Sequence, residues 1–474
     1  MTGFSPSTEV VIGLDLGTTS AKAVARDLTG RTMALVEART PWTTVDAGTE
    51  VLAQALLAVA VDLLQRVVLA AEAQIGTVRV LGVGVAGLAE SGVLLDSMGE
   101  PCGPVIAWFD KRGTREVAEL ESRIPQLSQQ FVRRTGLPWD CQASLAKLLW
   151  LQSAGTVLTP AHRWASVPEW VVQQLGGDLV REPSLASRTG LIDQATGDVW
   201  SEGVLAAGLP ATLLPPPLAW GQSAGAVKHV GLPPSVQGAA LTVAGHDHPV
   251  AAIGVGAVGP DELFNSSGTA DVIARSLPGV LDDDRRELLV RSGLSAGAHV
   301  LPDTTLLLGG VRGGLLLRRV LGALGVSSPE QREALDQAAL EVGDLPVGLE
   351  VSGAGPTGDD VVVRLRDDVT PAHIWAAATR YTAGESLALL TTINAIVGPH
   401  RRAVACGGWT RMASVRAAKR SAIEHLQFSQ LPEPGVIGAA LLAGQAAGVG
   451  SVLALRQEEV PHDLASHAIS GGET

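Results

Sequence analysis

Asp247 is the residue whose type and position best suit acid–base chemistry in this sequence. It follows an apolar, strand-like run that begins at Leu241, and a turn of small residues, Ser266–Thr269, comes after a second such run. A carboxylate at a strand end can accept a proton, and backbone N–H groups in such a turn can bind a phosphate. The pattern predicts phosphoryl transfer to a hydroxyl. Asp247 could also cap the helix predicted at Pro249–Val255.

A strand, a hydroxyl-rich glycine turn and a second strand occur twice in this order. Near the N-terminus they are Val10–Leu14, Gly17–Ser20 and Ala23–Ala25, and further along the chain Asn265–Thr269 forms the turn. Neither turn has the glycine spacing of a P-loop or of a dinucleotide-binding fold. Two halves that each supply a phosphate-binding hairpin indicate a nucleotide held between two lobes.

The segment Val11–Arg31, VIGLDLGTTSAKAVARDLTGR, resembles the first phosphate motif of the FGGY carbohydrate kinases, relatives of glycerol kinase and xylulokinase. Further resembling segments follow in the family's order along essentially the whole chain: Gly84–Asp96, Ile106–Arg112, Lys147–Leu151, Ser184–Asp193, Gly245–Val250, Ser266–Thr269, Gly407-Gly408 and Gly435–Leu442. The resemblance implies an α/β fold of two RNase H-like lobes, as in actin-like ATPases, with a cleft between them. It also implies ATP and Mg²⁺ as cofactors and a small sugar or polyol as substrate.

The resemblance assigns roles to residues of both hairpins. Asp247 would be the general base, and Asp15 would organise Mg²⁺ through water. The nucleotide-binding positions would be Thr18, Thr19, Lys22, Gly268, Thr269, Gly313, Gly314, Gly407 and Gly408. Local alternatives stay open: Asp15 could bond within its own turn, Lys22 could be a solvated charge, and a Gly-Gly pair is often only a turn.

Substrate-binding residues are expected just before the strand at Val93–Asp96. The family presents two residues to the sugar there, Arg-Glu in glycerol kinases and Met-His in xylulokinases, and this chain has Ala89 and Glu90. A glutamate can accept hydrogen bonds from a pair of hydroxyls, although a lone carboxylate is more commonly a salt-bridged surface group. Trp108 and Asp110 resemble residues that flank the sugar pocket, and Trp108 could equally be a core residue.

His246 and His248 flank the candidate base. They could contact substrate hydroxyls, be packed and hydrogen-bonded, or belong to a metal site like that of His-Asp phosphohydrolases. In an extended segment the two histidines share one face and Asp247 points to the other, so we expect a poor metal cluster. The chain also lacks the further spaced histidines of those hydrolases.

Two segments depart from the family pattern. Gly348–Asp360 lacks the Glu-Arg pair of a loop that many relatives have, so a contribution of this loop to domain closure is in doubt. Trp409 stands where a small residue is usual, and its indole could stack on adenine or partly block it.

Composition limits the partners. Across 474 residues, 35 Lys and Arg against 48 Asp and Glu give a net charge of -13, which argues against nucleic acid and anionic membranes as partners. Cys102, Cys141 and Cys406 lie far apart without metal spacing. No stretch has the pattern of a signal peptide or of a membrane span. We expect a cytoplasmic protein, with a homodimer as one possible state.

The length predicts two domains, an N-terminal lobe of residues 1–242 for sugar binding and a C-terminal lobe of residues 243–474 with the base and the ATP site. Helices are predicted at Glu50–Ile75, Arg115–Arg123, Leu145–Gln152, Ala372–Ile396, Ser414–His425 and Val436–Ala447. Leu213–Val227, with its three prolines, is predicted to be an irregular connector. The tail beyond Pro461 is polar and is expected to fray.

Three functions fit these features to different degrees. An ATP-dependent kinase for a small sugar or polyol, with a ketose or sugar alcohol favoured, accounts for Asp15, Asp247 and both hairpins. A catalytically weak or inactive sugar and ATP sensor on the same fold would not need Asp247. A metal phosphohydrolase would need metal ligands that the sequence does not supply.

Overall fold

The computed structural model describes residues 7–353, 360–365 and 368–450. In the first half the elements are β1 (Thr8–Leu16), β2 (Ser20–Asp27), β3 (Thr32–Arg39), β4 (Thr43–Val45), β5 (Gly48–Val51), α1 (Ala53–Ile75), β6 (Val78–Gly87), β7 (Gly92–Leu95), β8 (Val105–Ile106), α2 (Thr114–Arg123), α3 (Gln126–Thr135), α4 (Ser144–Ser153), β9 (Arg163–Ser166), α5 (Val167–Gln174), α6 (Pro183–Ala186), α7 (Ser201–Ala206), β10 (Gly225–Ala226) and β11 (Ala240–His246).

The second half continues with α8 (Asp247–Gly254), β12 (Glu262–Ser267), β13 (Asp271–Pro278), α9 (Asp283–Arg291), β14 (Ser295–Ala298), β15 (Thr304–Val311), α10 (Gly313–Ala323), α11 (Pro329–Leu340), β16 (Glu350–Ser352), β17 (Val362–Arg364), α12 (Pro371–Val397), β18 (Arg402–Cys406), a 3-10 turn (Gly408–Arg411), α13 (Ala413–Ala422), β19 (Leu426–Phe428) and α14 (Pro434–Ala446). Residues 354–359 of the departing loop Gly348–Asp360 and the tail beyond Pro461 lie outside the described residues.

A six-stranded sheet organises the first lobe, in the order β10-β11-β6-β1-β2-β3. β1 and β2 form the predicted hairpin, while β6 runs parallel to β1 and β11 runs parallel to β6. Leu16 pairs with Gly87, and Gly87 pairs with His246. Parallel strands end at the same edge of a sheet, so residues that follow β1, β6 and β11 meet there.

A second six-stranded sheet has the order β14-β15-β13-β12-β18-β19. β12 and β13 form the second predicted hairpin, and β18 runs parallel to β12 with Cys406 opposite Ser266. β15 pairs with β13 so that Val311 faces Asp271. The hairpin turn, the start of α10 and the turn after β18 therefore lie at one edge of this sheet.

Helix α14 belongs to the end of the chain but packs on the first sheet. The strands beneath it carry glycines: a Cβ atom on Gly13 would lie 1.9 Å from the carbonyl oxygen of Val436, and one on Gly84 would lie 2.2 Å from that of Ala439. Only glycine permits so close an approach of helix and strand backbones. Many glycines of the chain thus serve packing rather than flexibility.

Helix α1 covers the same sheet. Its buried residues, Leu56, Leu63, Leu64, Val67 and Val68 among them, recur at helical spacing and join the core of the first lobe. In the described part of the chain it is the one helix with the length and apolar composition to span a membrane. Its packing on the sheet identifies it as a core helix.

The predicted helices are confirmed, each with slightly different ends. The connector Leu213–Val227 is irregular except for a bridge between Pro217 and Arg181 and for β10, which pairs with β11. The predicted domain boundary between residues 242 and 243 falls within β11, and the first sheet continues to His246. Together the two sheets and their helices give the predicted two-lobed α/β architecture.

Candidate active site

Asp247 is the first residue of α8 and follows directly on the last residue of β11. His246 Nε2 lies 3.2 Å from Asp247 Oδ1, and the backbone N–H of His248 donates to the same oxygen at 2.7 Å. Burial would raise the pKa of Asp247, but the adjacent His248 and His246 lower it to about 2. The carboxylate is therefore ionised at neutral pH.

The expectation that the His-Asp-His side chains point to opposite faces is wrong. It assumed an extended segment, but the chain turns from strand to helix between His246 and Asp247. One ligand atom from each of His246, Asp247 and His248 lies within 4.8 Å of the other two. The imidazole rings of the histidines are 5.4 Å apart, and burial lowers the pKa of His248. Two imidazoles thus flank the Asp247 carboxylate.

Asp15 is the second carboxylate at this edge. Burial, and then the neighbouring Asp247, raise the pKa of Asp15 to about 7, while Lys22 acts in the opposite direction. Among the described residues, nothing forms a hydrogen bond with its buried Oδ1. Glu433, just before α14, is a third carboxylate near it and forms an ion pair with Lys22 at 2.8 Å. An unpaired carboxylate oxygen in an acidic group suits a hard cation such as Mg²⁺.

Two tryptophan side chains from outside the first hairpin donate hydrogen bonds to its turn. Trp108 Nε1 donates to Thr18 Oγ1 at 2.9 Å, and Trp42 Nε1 donates to the Thr18 carbonyl oxygen at 2.8 Å. Thr19, at the tip of the turn, is exposed. Trp108 therefore contacts a predicted phosphate-binding residue, which the sequence did not indicate.

The glycines predicted to bind nucleotide converge at the edge of the second sheet. A Cβ atom on Gly314 would lie 1.8 Å from the carbonyl oxygen of Gly268 and 2.6 Å from the indole nitrogen of Trp409, and one on Gly407 would lie 2.4 Å from the carbonyl oxygen of Ser267. Gly313 begins α10, Gly408 begins the 3-10 turn, and Thr269 is exposed at the hairpin tip. The backbone here is close-packed and leaves N–H groups at the edge.

Asp110 is buried, and its carboxylate is surrounded by hydrogen-bond donors. Its carboxylate accepts hydrogen bonds from the Arg112 side chain at 3.1 Å and from the backbone N–H groups of Arg112 and Thr49. Burial opposes the ionised form, but these donors together hold the pKa of Asp110 below its usual range. Its oxygens are thus engaged by protein donors. Ala89 is buried next to Glu90.

Comparison with known proteins identifies the family of the chain. Residues 10–254 match the family model described as the FGGY family of carbohydrate kinases, N-terminal domain. The chain belongs to this family. It is 28% identical to glycerol kinase of Bordetella parapertussis, covering 94% of this chain and 90% of that protein. FGGY kinases are phosphotransferases that act on an alcohol group and use ATP.

Solved structures show the same fold. Xylulose kinase from Rhodospirillum rubrum superposes with a TM-score of 0.78 at 24% identity, covering 95% of this chain and 91% of that one. Plasmodium falciparum glycerol kinase with ADP gives a TM-score of 0.83 at 17% identity, covering 96% and 93%. The chain therefore has the two-lobed, actin-like ATPase fold of these kinases.

In this FGGY kinase, Glu90 has a partner that the sequence analysis did not single out. Arg188 Nε donates to Glu90 Oε1 at 2.7 Å, and both side chains are about nine-tenths buried. Arg188 Nη1 also donates to Ser295 Oγ at 2.7 Å, on β14 of the second sheet. Glu90 itself has a left-handed backbone, with φ of 62°, and its carbonyl oxygen accepts a hydrogen bond from Ser144.

Arg188 and Glu433 are the charged residues at the site that the sequence analysis missed. Arg188 lies inside the matched segment Ser184–Asp193, so the one positive charge in that motif was an available signal. Glu433 precedes the matched segment at Gly435 but joins the site through α14 packing on a distant sheet. No local pattern indicates that contact.

Proposed function

We propose that this chain transfers the γ-phosphoryl group of ATP to a hydroxyl of a small sugar or polyol, with Asp247 as the general base. The observation that carries the proposal is the position of Asp247: an ionised carboxylate at the junction of β11 and α8, beside Asp15. The family membership of the chain supports the reaction class. The class of acceptor is part of the proposal.

The base acts through one of its two oxygens. The contacts of the carboxylate with His246 and His248 all use Asp247 Oδ1, so we assign the acceptor proton to Oδ2. The O–H bond of the acceptor breaks as its oxygen attacks the γ-phosphorus, and ADP leaves with the electron pair of the broken P–O bond. Phosphoryl transfer has a loose transition state that asks little of the nucleophile, so a weak base suffices.

Holding the phosphates is the second task. We assign it to the backbone and hydroxyls of the two hairpin turns, Thr18-Thr19 in the first lobe and Gly268-Thr269 in the second, together with the glycines at the start of α10 and after β18. Lys22, paired with Glu433 at 2.8 Å, adds positive charge beside the first turn. Closure of the lobes would bring the turns together and limit attack by water.

Asp15 and Glu433 are the residues we assign to Mg²⁺. The unpaired Oδ1 of Asp15 and the adjacent carboxylates form an oxygen donor set that fits this ion. When bound, the ion would neutralise charge on the phosphates. With the ion absent, burial of Asp15 and then repulsion from the neighbouring carboxylates favour a proton on it, consistent with its raised pKa.

The acceptor is best bound at Glu90. Arg188 fixes the carboxylate, which retains lone pairs for hydroxyl groups of a ketose or sugar alcohol. His248 and His246 lie close enough to the base to contact the same molecule. We assign Trp108 and Asp110 supporting roles, since Trp108 bonds to Thr18 and the Asp110 carboxylate is held by Arg112.

ADP release with Mg·ATP across a panel of polyols, ketoses, aldoses and aldonates tests the proposal. We expect acceptor-dependent turnover that falls by about 10²- to 10⁴-fold in Asp247→Asn, because the amide cannot take the proton. Asp62→Asn, on the exposed face of α1, is the matched control and should keep full activity.

Two results would contradict the mechanism. Full turnover in Asp247→Asn would show that Asp247 is not the general base. Absence of turnover with every acceptor, despite binding of ATP and sugar, would favour the sensor function. A lobe boundary near the end of β11, a homodimeric state and a cytoplasmic location stay predictions.

A further inference from the structure

A buried ion pair joins α13 to the hairpin of β12 and β13 in the second lobe. Lys419 of α13 places its Nζ 2.5 Å from Asp271 Oδ2 and 2.9 Å from Asn265 Oδ1. Ser386 Oγ of α12 donates to the same Asp271 oxygen at 3.1 Å. All four residues are more than nine-tenths buried. A buried charge is costly unless it is paired and hydrogen-bonded, so these contacts fix the position of the ammonium group.

The two hairpin residues of this network also contact each other. Asn265 Nδ2 donates to Asp271 Oδ1 at 2.6 Å and to the carbonyl oxygen of Val272 at 3.1 Å. Both side-chain atoms of Asn265 and both carboxylate oxygens of Asp271 therefore have partners. Asn265 is on β12 and Asp271 is on β13, on either side of the turn Ser266–Thr269. Lys419 thus links both ends of that turn to one helix.

The same network adjoins the other two glycine segments assigned to the phosphates. A Cβ atom on Gly313, at the start of α10, would lie 3.4 Å from Asp271 Cβ. A Cβ atom on Gly407 would lie 2.4 Å from the carbonyl oxygen of Ser267, in the hairpin turn. The 3-10 turn and the first part of α13 connect Gly407 to Lys419 along the chain. The three segments that would hold the phosphates therefore meet around one buried ion pair.

We propose that Lys419 is a positioning residue of the nucleotide site, an inference that rests on the assignment of these three segments to the phosphates of ATP. The residue is only 3% exposed, so its ammonium acts through the turns and not on the nucleotide itself. It fixes the hairpin turn relative to the turn after β18, and a phosphate is bound tightly only by donors that are held in place beforehand. Loss of the ammonium should therefore weaken binding of the phosphates and leave binding of the nucleoside unchanged.

Calorimetric titration of the full chain with Mg·ADP and with adenosine tests this role. We expect Lys419→Met to bind ADP about tenfold more weakly than the wild type, the effect of losing about one hydrogen bond to a phosphate. Adenosine should bind within about twofold of the wild-type affinity. Arg420→Met is the matched control, because it removes one positive charge from an exposed position of the same helix. It should bind both ligands as the wild type does.

A double variant separates positioning from stability. Lys419→Met alone leaves the Asp271 carboxylate buried and unpaired, which destabilises the fold. Combining it with Asp271→Asn removes both charges and should recover most of the thermal midpoint, whereas the affinity for ADP should stay about tenfold below that of the wild type.

Wild-type affinity for ADP in the double variant, or an equal loss of adenosine binding, would overturn the positioning role and leave Lys419 as a structural residue. The titrations need no turnover. A chain that binds ADP but phosphorylates no acceptor would therefore refute the proposed function and not this inference.

Discussion

Ser295→Ala isolates the link between acceptor binding and the second lobe. Arg188 holds the Glu90 carboxylate at 2.7 Å and reaches Ser295 Oγ at 2.7 Å, while Ser295 Oγ–H donates to the carbonyl oxygen of Leu308 at 3.2 Å. The substitution removes one charge-assisted hydrogen bond, worth about 1.5 kcal/mol, and leaves the buried ion pair intact. That energy corresponds to about tenfold in an equilibrium constant.

Initial rates of ADP release at varied acceptor and varied ATP give the two KM values. We expect the acceptor KM to rise about fivefold to tenfold, because Arg188 no longer fixes Glu90 relative to the second sheet, with the KM for ATP changed less than twofold. Ser276→Ala is the matched control, since Ser276 is similarly buried on β13 of the same sheet.

Removing the guanidinium of Arg188 itself gives the upper limit of the energetic cost of disturbing this link. Arg188→Met leaves the Glu90 carboxylate buried and unpaired, and breaking a buried ion pair in this way costs about 3–5 kcal/mol. An acceptor KM within twofold of the wild type in Ser295→Ala, or an equal rise in the KM for ATP, would refute the reasoning. The link between Glu90 and the second lobe would then be structural only.

Two further predictions concern the metal group and the packing of α14. The acid limb of the pH profile of kcat/KM should have an apparent pKa near 7, the pKa of Asp15. Each tenfold rise in Mg²⁺ concentration above half-saturation should lower this apparent pKa by about one unit, because the proton and the ion compete for one carboxylate. Asp247, with a pKa of about 2, adds no limb above pH 4. An acid limb whose apparent pKa does not change with Mg²⁺ concentration would exclude Asp15 as a ligand of the ion. In urea unfolding, Gly13→Ala should destabilise the chain by about 1–3 kcal/mol through its clash with Val436, whereas Gly322→Ala, with open space in α10, should stabilise it by up to about 1 kcal/mol.

Local sequence was sufficient to predict the two hairpins and the positions of Asp15 and Asp247 near the ends of β1 and β11. Asp15 and Asp247 each follow a largely apolar, strand-like run, and such runs form buried strands whose ends are set within a few residues. The His-Asp-His geometry was not predictable in the same way. It depends on the chain changing from strand to helix at a single peptide, between His246 and Asp247, and the pattern of neighbouring residues does not fix that point.

Contacts between distant segments were the harder part. Arg188, just after α6, meets Glu90 because α6 packs against β11, the strand beside β6. It meets Ser295 because α6 also contacts β14 of the other sheet. These contacts follow from strand register and helix packing across more than one element. The family resemblance supplied the order of the motifs along the chain but not the partner of each side chain.

The packing of α14 bears on how the two lobes are defined. The helix is near the end of the chain, yet its first turn adjoins Asp15, and Glu433 before it forms an ion pair with Lys22 on the first hairpin. A Cβ atom on Gly435 would lie 2.5 Å from Asp15 Oδ2, so the helix begins directly over this carboxylate. The acidic group assigned to Mg²⁺ is therefore completed by the last described helix. The chain leaves the first lobe after β11 and returns to it at α14, so two chain segments connect the lobes. Any movement of the second lobe therefore acts on both segments, one next to Asp247 and the other next to Asp15.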